Sequence, residues 1–237
     1  MRLCLVHGFT QTGTSWDPVA DGLRSRGHEV VTPDAPGHGR RSSVTADLTG
    51  TAHLLAEEVG KANWVGYSMG GRVALHVALV RPDVVDRLVL VSTTAGIDDE
   101  RDRRARREAD EALAADIERD GVPAFIERWL EGPLWATLPK ERAGIPSRLV
   151  NTAAGLASSL RRAGTGTQEP LWDRLPEITA PTLVVTGELD ARFAALGDRL
   201  AAGLPAASRA TLPGAGHAAP WEQPEAFVAL VDDWLSQ

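Results

Sequence analysis

Residues 63–79, NWVGYSMGGRVALHVAL, begin as an apolar strand and end as an apolar helix, with a single serine at the join. Gly66-Tyr67-Ser68-Met69-Gly70 fits the pattern G-x-S-x-G, which is typical of a sharp turn from a strand into a helix. Glycine is expected on both sides because a Cβ at either place would collide across so tight a turn. The pattern predicts a strained serine whose hydroxyl stands out of the sheet. Taken alone, it also fits a glycine-rich turn with an incidental serine.

Short apolar runs alternate with helical patterns along most of the chain. The predicted strands are residues 2–6, 28–32, 62–67, 87–92, 182–187 and 208–213. Strands that alternate with helices indicate an α/β protein with a mostly parallel sheet and helices on both faces. In such a sheet the functional residues lie in the loops beyond the carboxyl ends of the strands.

The alternation stops between residues 97 and 172. This stretch is charged and has helical spacing throughout, for example DDERDRRARREADEALAADIERDG at residues 98–121, and it contains no strand pattern. A helical insertion between the fourth and fifth strands is best placed over the functional edge of the sheet. We therefore predict an inserted helical cap at residues 97–172, and a core formed by residues 1–96 and 173–237.

The composition excludes several classes of function. The chain has 237 residues, 43% of them hydrophobic and 24% charged, as in an ordinary globular domain. A net charge of −7 gives no support for nucleic-acid binding, and no apolar run is long enough to span a membrane. The single cysteine, Cys4, excludes an internal disulfide and a cysteine-based zinc site. A cytoplasmic protein, monomeric or weakly homo-oligomeric, is expected.

Two residues downstream supply what a reactive serine needs. A serine acts as nucleophile or base only if a histidine takes its proton, and that histidine needs an acid to hold its tautomer. Asp190 follows the fifth predicted strand, and His217 lies in a loop after the last one. Both loops belong to the edge of the sheet at which Ser68 is expected. We predict that Ser68, Asp190 and His217 form a catalytic triad.

An oxyanion site is predicted at the same edge. His7-Gly8-Phe9 follows the first strand directly. The backbone N–H groups of Phe9 and Met69 are suited to hold a developing negative charge on oxygen. His7, and His38 in the next loop, are expected to orient their loops rather than to take part in the chemistry.

These segments together resemble the α/β-hydrolase family over almost the whole chain. The resemblance rests on HGF, GYSMG, an acid after the penultimate strand and AGH, in the family's order serine, acid, histidine. It implies the fold and the roles given above. The antiparallel hairpin that usually opens this fold is expected to be short or missing, because the first strand begins at once.

The predicted cap resembles one subgroup more closely. ERDRRARREADEALAADIERDGVPAFIERWLEGPLW, GLASSLRRAGTGTQEPLW and GELDARF, together with HGFTQTGTSW and GYSMGGR, are similar to the menaquinone-pathway 2-succinyl-6-hydroxy-2,4-cyclohexadiene-1-carboxylate synthases. The resemblance implies a lyase that eliminates pyruvate from 2-succinyl-5-enolpyruvyl-6-hydroxy-3-cyclohexene-1-carboxylate. It also implies that the reaction needs no cofactor and no metal.

Arginine is the side chain suited to such a substrate, which carries three carboxylates, because its planar fork binds them through two hydrogen bonds. Arg72 begins the helix behind the serine turn, and Arg106 with Asp110 forms an i, i+4 pair that matches the subgroup. Arg148 is predicted as a second cap arginine at the substrate. Tyr67 and Trp129 complete the set of predicted substrate-binding residues.

Two alternatives remain from the sequence. A carboxylesterase or C–C bond hydrolase would use the same triad and oxyanion site. A non-catalytic binding protein or receptor with this fold would have no need to retain them together with an arginine-rich cap. Neither alternative accounts for the cap as well as the lyase does.

Overall fold

The computed structural model describes residues 1–237. Six strands form one sheet, and each strand pairs in parallel with its neighbours in the order β2-β1-β3-β4-β5-β6. The strands are β1 Arg2–Val6, β2 Glu29–Val31, β3 Ala62–Tyr67, β4 Val85–Val91, β5 Thr182–Gly187 and β6 Ala207–Leu212. The sequence predicted all six to within three residues at each end. The sheet is wholly parallel, and it contains no antiparallel hairpin.

Nine α-helices accompany the sheet. They are α1 Asp17–Ser25, α2 Leu48–Val59, α3 Met69–Val80, α4 Glu100–Leu130, α5 Ile145–Leu149, α6 Ala153–Ala163, α7 Ala191–Gly203, α8 Ala219–Glu222 and α9 Pro224–Leu235. None of them is long and apolar enough to cross a membrane. The α4 helix is broken at Gly121, where φ is +78° and only glycine is free of strain.

Two hydrophobic cores lie on opposite faces of the sheet. Alternate residues of a strand point to opposite faces, so Cys4 and Val6 join one core while Leu3 and Leu5 join the other. Helices α2, α3 and α7 contribute to the first core, and α1 and α9 contribute to the second. The chain thus covers both faces of the sheet and leaves its carboxyl edge to the loops.

The helices between β4 and β5 have a small core of their own. Helices α4 and α6 pack on each other through apolar residues that include Ile117, Phe125, Leu156 and Leu160. Arg161 of α6 also binds the carboxylates of Glu111 and Glu118 on α4. Because Phe9, which follows β1, packs against this cluster, the helical segment lies over the carboxyl edge of the sheet.

Candidate active site

Ser68 stands at the sharp turn between β3 and α3. Its φ of +52° and ψ of −110° are unusual for a residue with a side chain, and its N–H is held by the Val91 carbonyl at 2.9 Å. A Cβ on Gly66 would come within 2.3 Å of the Gly70 carbonyl oxygen, and a Cβ on Gly70 would come within 2.0 Å of the Val6 carbonyl oxygen. The three segments can meet only because these two residues are glycine.

The structure brings Ser68, His217 and Asp190 together although they are far apart in the chain. His217 Nε2 lies 3.3 Å from Ser68 Oγ, and His217 Nδ1 lies 2.9 Å from Asp190 Oδ2. Since a carboxylate only accepts hydrogen bonds, Nδ1 carries the proton and Nε2 is left to accept from the serine. This is the geometry in which a histidine removes a proton from a serine hydroxyl.

Asp190 has a second structural task. Its Oδ1 accepts the N–H of Phe193 at 3.2 Å, so that Asp190 is also the N-cap of α7. The carboxylate is therefore fixed by one oxygen and presents the other to the histidine. Asp190 is therefore both the cap of α7 and the candidate acid for His217.

Glu222 holds the histidine loop and was not predicted from the sequence. Its two carboxylate oxygens accept the N–H of Gly216 at 2.7 Å and the N–H of Ala218 at 3.0 Å, on either side of His217. The side chain is buried at the end of α8. Such a doubly charge-assisted contact fixes the backbone that carries the His217 ring. A glutamate five residues after the histidine was the only signal in the sequence.

The two predicted oxyanion donors border the same space. Phe9 and Met69 both line the cavity into which Ser68 opens, and neither N–H is hydrogen-bonded to another protein group. Met69 is the first residue of α3, where helix N–H groups are free and the helix dipole favours negative charge. The arrangement is suited to hold an oxyanion next to Ser68.

His7 and His38 form a buried pair behind the Phe9 loop. His7 Nδ1 donates to the Gly8 carbonyl at 2.9 Å, and its Nε2 accepts the N–H of Ala35 at 3.0 Å. His38 Nδ1 donates to the Pro36 carbonyl at 3.1 Å. Burial lowers the pKa of both rings, in His38 to about 3, so both are neutral at physiological pH. Their hydrogen bonds go to backbone groups of the loops after β1 and β2.

A cavity of about 850 Å³ lies between the carboxyl edge of the sheet and the helices α4 and α6. All three triad residues line it. Four arginines line it as well, namely Arg72, Arg106, Arg128 and Arg192. Three aspartates also line it, namely Asp110, Asp116 and Asp190. The cavity has the size for a small organic molecule, and its arginines are suited to an anionic one.

Arg72 is buried in the wall of this cavity. Its Nη1 donates to the Ala163 carbonyl at 2.7 Å and more weakly to Gln168 Oε1 at 3.4 Å, and both acceptors are neutral. Burial, and secondarily the neighbouring Arg106, lower its pKa to about 10, so the group is still charged at neutral pH. The Asp110 carboxylate is near enough to oppose this lowering of the pKa, but no carboxylate is hydrogen-bonded to Arg72. A buried charge bonded only to neutral acceptors is costly, and a bound anion would relieve that cost.

Arg106 also lines the cavity, and its Nε donates to Asp110 Oδ1 at 2.8 Å. The other carboxylate oxygen of Asp110 accepts the N–H of Gly166 at 3.3 Å. Since only Nε of Arg106 is engaged with the protein, the Nη groups of Arg106 are left for a ligand. Asp110 thus holds the Arg106 guanidinium in place and leaves some of its N–H donors without a protein partner.

The structure places Arg148 elsewhere than the sequence predicted. It does not line the cavity and is 1% exposed. Its Nε donates to the Ala143 carbonyl at 2.8 Å, its Nη1 donates to the Thr10 hydroxyl, and its guanidinium lies 5.3 Å from the centre of the Trp135 ring. The prediction that Arg148 grips a carboxylate directly is therefore wrong, because its donors are turned to the protein. Burial lowers its pKa to about 10.

Tyr67 and Trp129 both line the cavity, as predicted. The Tyr67 ring lies 5.4 Å from the His217 ring, and burial raises the pKa of its hydroxyl. The Trp129 ring packs edge-to-face on Phe9 at 5.7 Å. The Tyr67 hydroxyl and Trp129 Nε1 have no hydrogen-bond partner in the protein. Buried polar atoms of this kind are usually satisfied, so a ligand in the cavity is one candidate partner.

Arg192 is a cavity residue that the sequence did not single out. It is exposed, lies two residues after Asp190, and contacts the Phe193 ring at 5.6 Å without any ion pair. Phe193 in turn packs on the His217 ring at 4.4 Å. A second cavity of about 510 Å³ adjoins the first here, with Arg106 and Arg192 lining both.

No group of three or more histidine, cysteine, aspartate or glutamate side chains is arranged to hold a metal ion. Cys4 is buried in β1, and burial raises the pKa of its thiol. The polar side chains that line the cavity beside Ser68 include histidine, carboxylate and arginine groups.

The parallel sheet, the serine turn and the triad geometry define a class of proteins. The sequence profile described as the alpha/beta hydrolase family matches residues 5–230, and the chain belongs to that family. Among its relatives, a putative 2-succinyl-6-hydroxy-2,4-cyclohexadiene-1-carboxylate synthase from Bacillus subtilis (strain 168) is 36% identical. That alignment covers 99% of this chain and 89% of the relative.

Two solved structures are similar over the whole chain. The structure of MenH from S. aureus superposes with a TM-score of 0.92 at 29% identity, covering 100% of this chain and 93% of that one. A thermophilic esterase from Thermogutta terrifontis, solved with malate bound, superposes with a TM-score of 0.86 at 27% identity, covering 100% and 89%. The fold is thus similar to that of both a synthase of the subgroup and an esterase.

Proposed function

We propose that this protein is a lyase that eliminates pyruvate from 2-succinyl-5-enolpyruvyl-6-hydroxy-3-cyclohexene-1-carboxylate to give 2-succinyl-6-hydroxy-2,4-cyclohexadiene-1-carboxylate. The observation that carries the proposal is the buried Arg72 guanidinium, charged and bound only by neutral acceptors, in the same cavity as Ser68. A neutral ester gives this charge no partner, whereas a tricarboxylate does. The relatives named above support the same choice.

In this proposal the triad acts as a base. Asp190 fixes the proton of His217 on Nδ1, and Nε2 of the same ring takes the proton of the Ser68 hydroxyl as that hydroxyl removes a ring proton from the substrate. The electrons of the broken C–H bond move toward a carbonyl oxygen of the substrate. They then form a C2=C3 double bond, the C3=C4 double bond of the ring shifts to C4=C5, and the C5–O bond to the enolpyruvyl group breaks. The leaving group takes up a proton and departs as pyruvate.

The oxyanion site stabilises the charge that develops in this reaction. The free N–H groups of Phe9 and Met69 border the Ser68 side of the cavity, where the carbonyl oxygen of the substrate would lie. Fixed donors in a site shielded from water need no reorganisation as the charge forms. The oxyanion site of a hydrolase would thereby serve an elimination.

The arginines divide the substrate's carboxylates among them. Arg72 lies deepest, Arg106 is held by Asp110 beside it, and Arg192 lies at the junction with the second cavity. We propose these three as the carboxylate-binding residues, with Tyr67 and Trp129 as the polar and apolar walls. Arg192 takes the place that the sequence had given to Arg148.

We further propose residues 97–172 as a cap and residues 1–96 with 173–237 as the core. The α4–α6 packing and the Arg161 ion pairs support the cap as a unit. A cytoplasmic location and a monomeric or weakly associating state are part of the same proposal. The single cysteine, which is buried and unpaired, is consistent with a reducing compartment.

A carboxylesterase or C–C hydrolase is the alternative that the triad geometry and the esterase relative favour. The experiment compares Arg72→Lys and Arg72→Met with wild type on the succinyl-enolpyruvyl substrate and on a neutral nitrophenyl ester. Loss of a charge-assisted hydrogen bond should lower kcat/KM for the elimination about tenfold to a hundredfold. Any slow ester hydrolysis should stay within a few-fold.

Arg101→Ala is the matched control, because Arg101 is an exposed arginine outside the cavity and should affect neither reaction. Equal losses on both substrates in the Arg72 variants would mean that Arg72 only supports the fold. The argument that Arg72 binds a carboxylate of the substrate would then fail, and the result would favour the esterase alternative.

A further inference from the structure

The loop that carries the Phe9 N–H contains a strained turn. Gly8 and Gln11 close it through two hydrogen bonds, from the Gln11 N–H to the Gly8 carbonyl at 3.2 Å and from the Gly8 N–H to Gln11 Oε1 at 3.0 Å. Thr10, the third residue of this turn, has a φ of +68°. That position normally belongs to glycine or asparagine, and a β-branched residue there is unfavourable. Such a conformation persists only where the surroundings hold it.

Two side chains from the segment 145–152 hold Thr10. The Thr10 hydroxyl accepts from Arg148 Nη1, and the Thr10 carbonyl accepts from Asn151 Nδ2 at 2.7 Å. Arg148 and Asn151 are 1% and 6% exposed, and Thr10 is fully buried. Since the hydroxyl and the carbonyl of Thr10 both bind this segment, residues far along the chain hold the turn.

Asn151 also connects a third segment. Its Oδ1 accepts the N–H of Gly39 at 2.8 Å, and its Nδ2 also donates to the Arg148 carbonyl at 3.0 Å. The side chain therefore joins the turn after β1, the loop after β2 and the end of α5. The amide has used one acceptor atom and both hydrogens, which is the full pairing expected of a buried group.

We propose that Arg148 and Asn151 are positioning residues that hold the Phe9 N–H in the direction needed for the oxyanion. Phe9 is the residue before Thr10, its N–H is free of protein acceptors, and it lines the cavity with Ser68. The Phe9 N–H belongs to the Gly8–Phe9 peptide, which the hydrogen bonds between Gly8 and Gln11 hold only while Thr10 keeps its strained conformation. Relaxation at Thr10 would open this turn and free the peptide to point its N–H away from Ser68. The inference rests on the proposed role of Phe9 as an oxyanion donor, and it holds whether the substrate is the succinyl-enolpyruvyl compound or an ester.

The inference gives the inserted segment a catalytic task beyond covering the substrate. Removal of the latch formed by Arg148 and Asn151 should lower kcat more than it raises KM, because the oxyanion forms only as the reaction proceeds. Substrate carboxylates would still be bound by the cavity arginines. Replacing a residue that merely supports the fold would lower the stability without lowering kcat more than it raises KM.

The first test compares the two asparagines of the chain. Asn151→Ala should lower kcat about tenfold with KM within twofold, which is less than the roughly hundredfold to thousandfold loss that follows removal of an oxyanion donor. Asn63→Ala is the matched control, since Asn63 is also buried and its Nδ2 also donates to a carbonyl, that of Arg2 at 3.0 Å, but it begins β3 far from Ser68. It should lower the melting temperature and leave kcat unchanged. Equal stability losses with kcat unchanged in both variants would overturn the inference.

The second test examines Arg148 through Thr10. Arg148→Met and Thr10→Val each remove one partner of the same hydrogen bond, so their losses in kcat should not add in the double variant. Arg148→Lys should restore part of the rate, because an ammonium can still donate to the Thr10 hydroxyl. Fully additive losses would mean that Arg148 acts on something other than Thr10.

A measurement without turnover separates this inference from the proposed function. Phenylboronic acid forms a tetrahedral anion on a reactive serine, with one oxygen in the oxyanion site. Its affinity should fall about tenfold in Asn151→Ala and stay unchanged in Asn63→Ala. That result in a protein that releases no pyruvate would sustain the latch and refute the lyase. Unchanged boronate affinity in Asn151→Ala, with pyruvate release intact in wild type, would refute the latch and sustain the lyase.

Discussion

His217 Nδ1 lies 2.9 Å from Asp190 Oδ2, and the same aspartate caps α7 through its other oxygen. Asp190 is thus held in place by the helix that it begins. Its contact with Nδ1 fixes both the tautomer and the orientation of the His217 ring. Asp190→Asn should keep the cap but place an amide against Nδ1, so that the wrong nitrogen carries the proton. We expect kcat to fall by orders of magnitude with little change in melting temperature.

Ser68→Ala should lower pyruvate release as strongly as the loss of the acid, because serine and histidine act as one proton-transfer unit. The fold should persist, since the change removes one oxygen atom at the cavity wall and leaves the packing of the core unchanged. Kinetics on the single variant and on Ser68→Ala/Asp190→Asn would show losses far from additive. A Ser68→Ala variant that retained near wild-type elimination would rule out serine as the base.

Glu222→Ala should weaken the site through the loop that carries His217. The change leaves the N–H groups of Gly216 and Ala218 without acceptors, each at a cost of about 1–3 kcal/mol if they stay buried. We expect a lower free energy of unfolding and a kcat reduced about tenfold or more. Glu225→Ala, an exposed neighbour on α9, is the control and should change neither quantity. Unaltered kcat in Glu222→Ala would mean that the loop keeps its shape without the carboxylate.

The neutral state of His38 makes stability depend on pH. Burial lowers its folded pKa from the ordinary 6.5 to about 3, so the unfolded chain binds more protons between these values. The contribution of His38 to stability is therefore fully present above pH 6.5 and is lost progressively as the pH falls toward 3. Denaturant titrations at pH 7.5 and 5.0 should show a smaller difference in His38→Asn than in wild type. His53→Asn, at an exposed position on α2, is the control.

Arg192→Ala tests the residue that replaces Arg148 in the carboxylate set. Its guanidinium has no acidic partner in the protein, so the variant should fold with unchanged stability. If Arg192 binds a substrate carboxylate, kcat/KM for the elimination should fall about tenfold while ester hydrolysis stays within a few-fold. Arg101→Ala provides the same loss of charge at an exposed site outside the cavity. Identical kinetics in the two variants would remove Arg192 from the proposal.

The sequence was sufficient for the sheet, and the three residues that it predicted as a triad lie within hydrogen-bond distance of one another. Buried parallel strands are short apolar runs, and the serine turn requires glycines at fixed spacing, so local pattern determines both. The order of serine, acid and histidine then located Asp190 and His217. The strands and the serine turn depend on residues that are close in the sequence. Asp190 and His217 could be placed near Ser68 because all the strands of a parallel sheet end at the same edge.

The supporting residues could not be predicted in the same way. Arg148 is in a helical, arginine-rich stretch, and nothing local tells whether its side chain turns to the cavity or to Thr10, 138 residues earlier. Asn151 and Glu222 are single polar residues whose partners are backbone groups, which carry no sequence signal. Their roles follow only from how the loops after β1, β2 and β6 pack together.

The most direct test of the central claim is the release of pyruvate from 2-succinyl-5-enolpyruvyl-6-hydroxy-3-cyclohexene-1-carboxylate by the purified protein. Lactate dehydrogenase and NADH report the pyruvate, and the absorbance of the conjugated diene reports the second product. The account predicts that both appear in equal amounts, at ordinary enzymatic rates with wild type and at background rates with Ser68→Ala. Rapid hydrolysis of simple nitrophenyl esters by the same preparation, with no pyruvate formed above background, would contradict it.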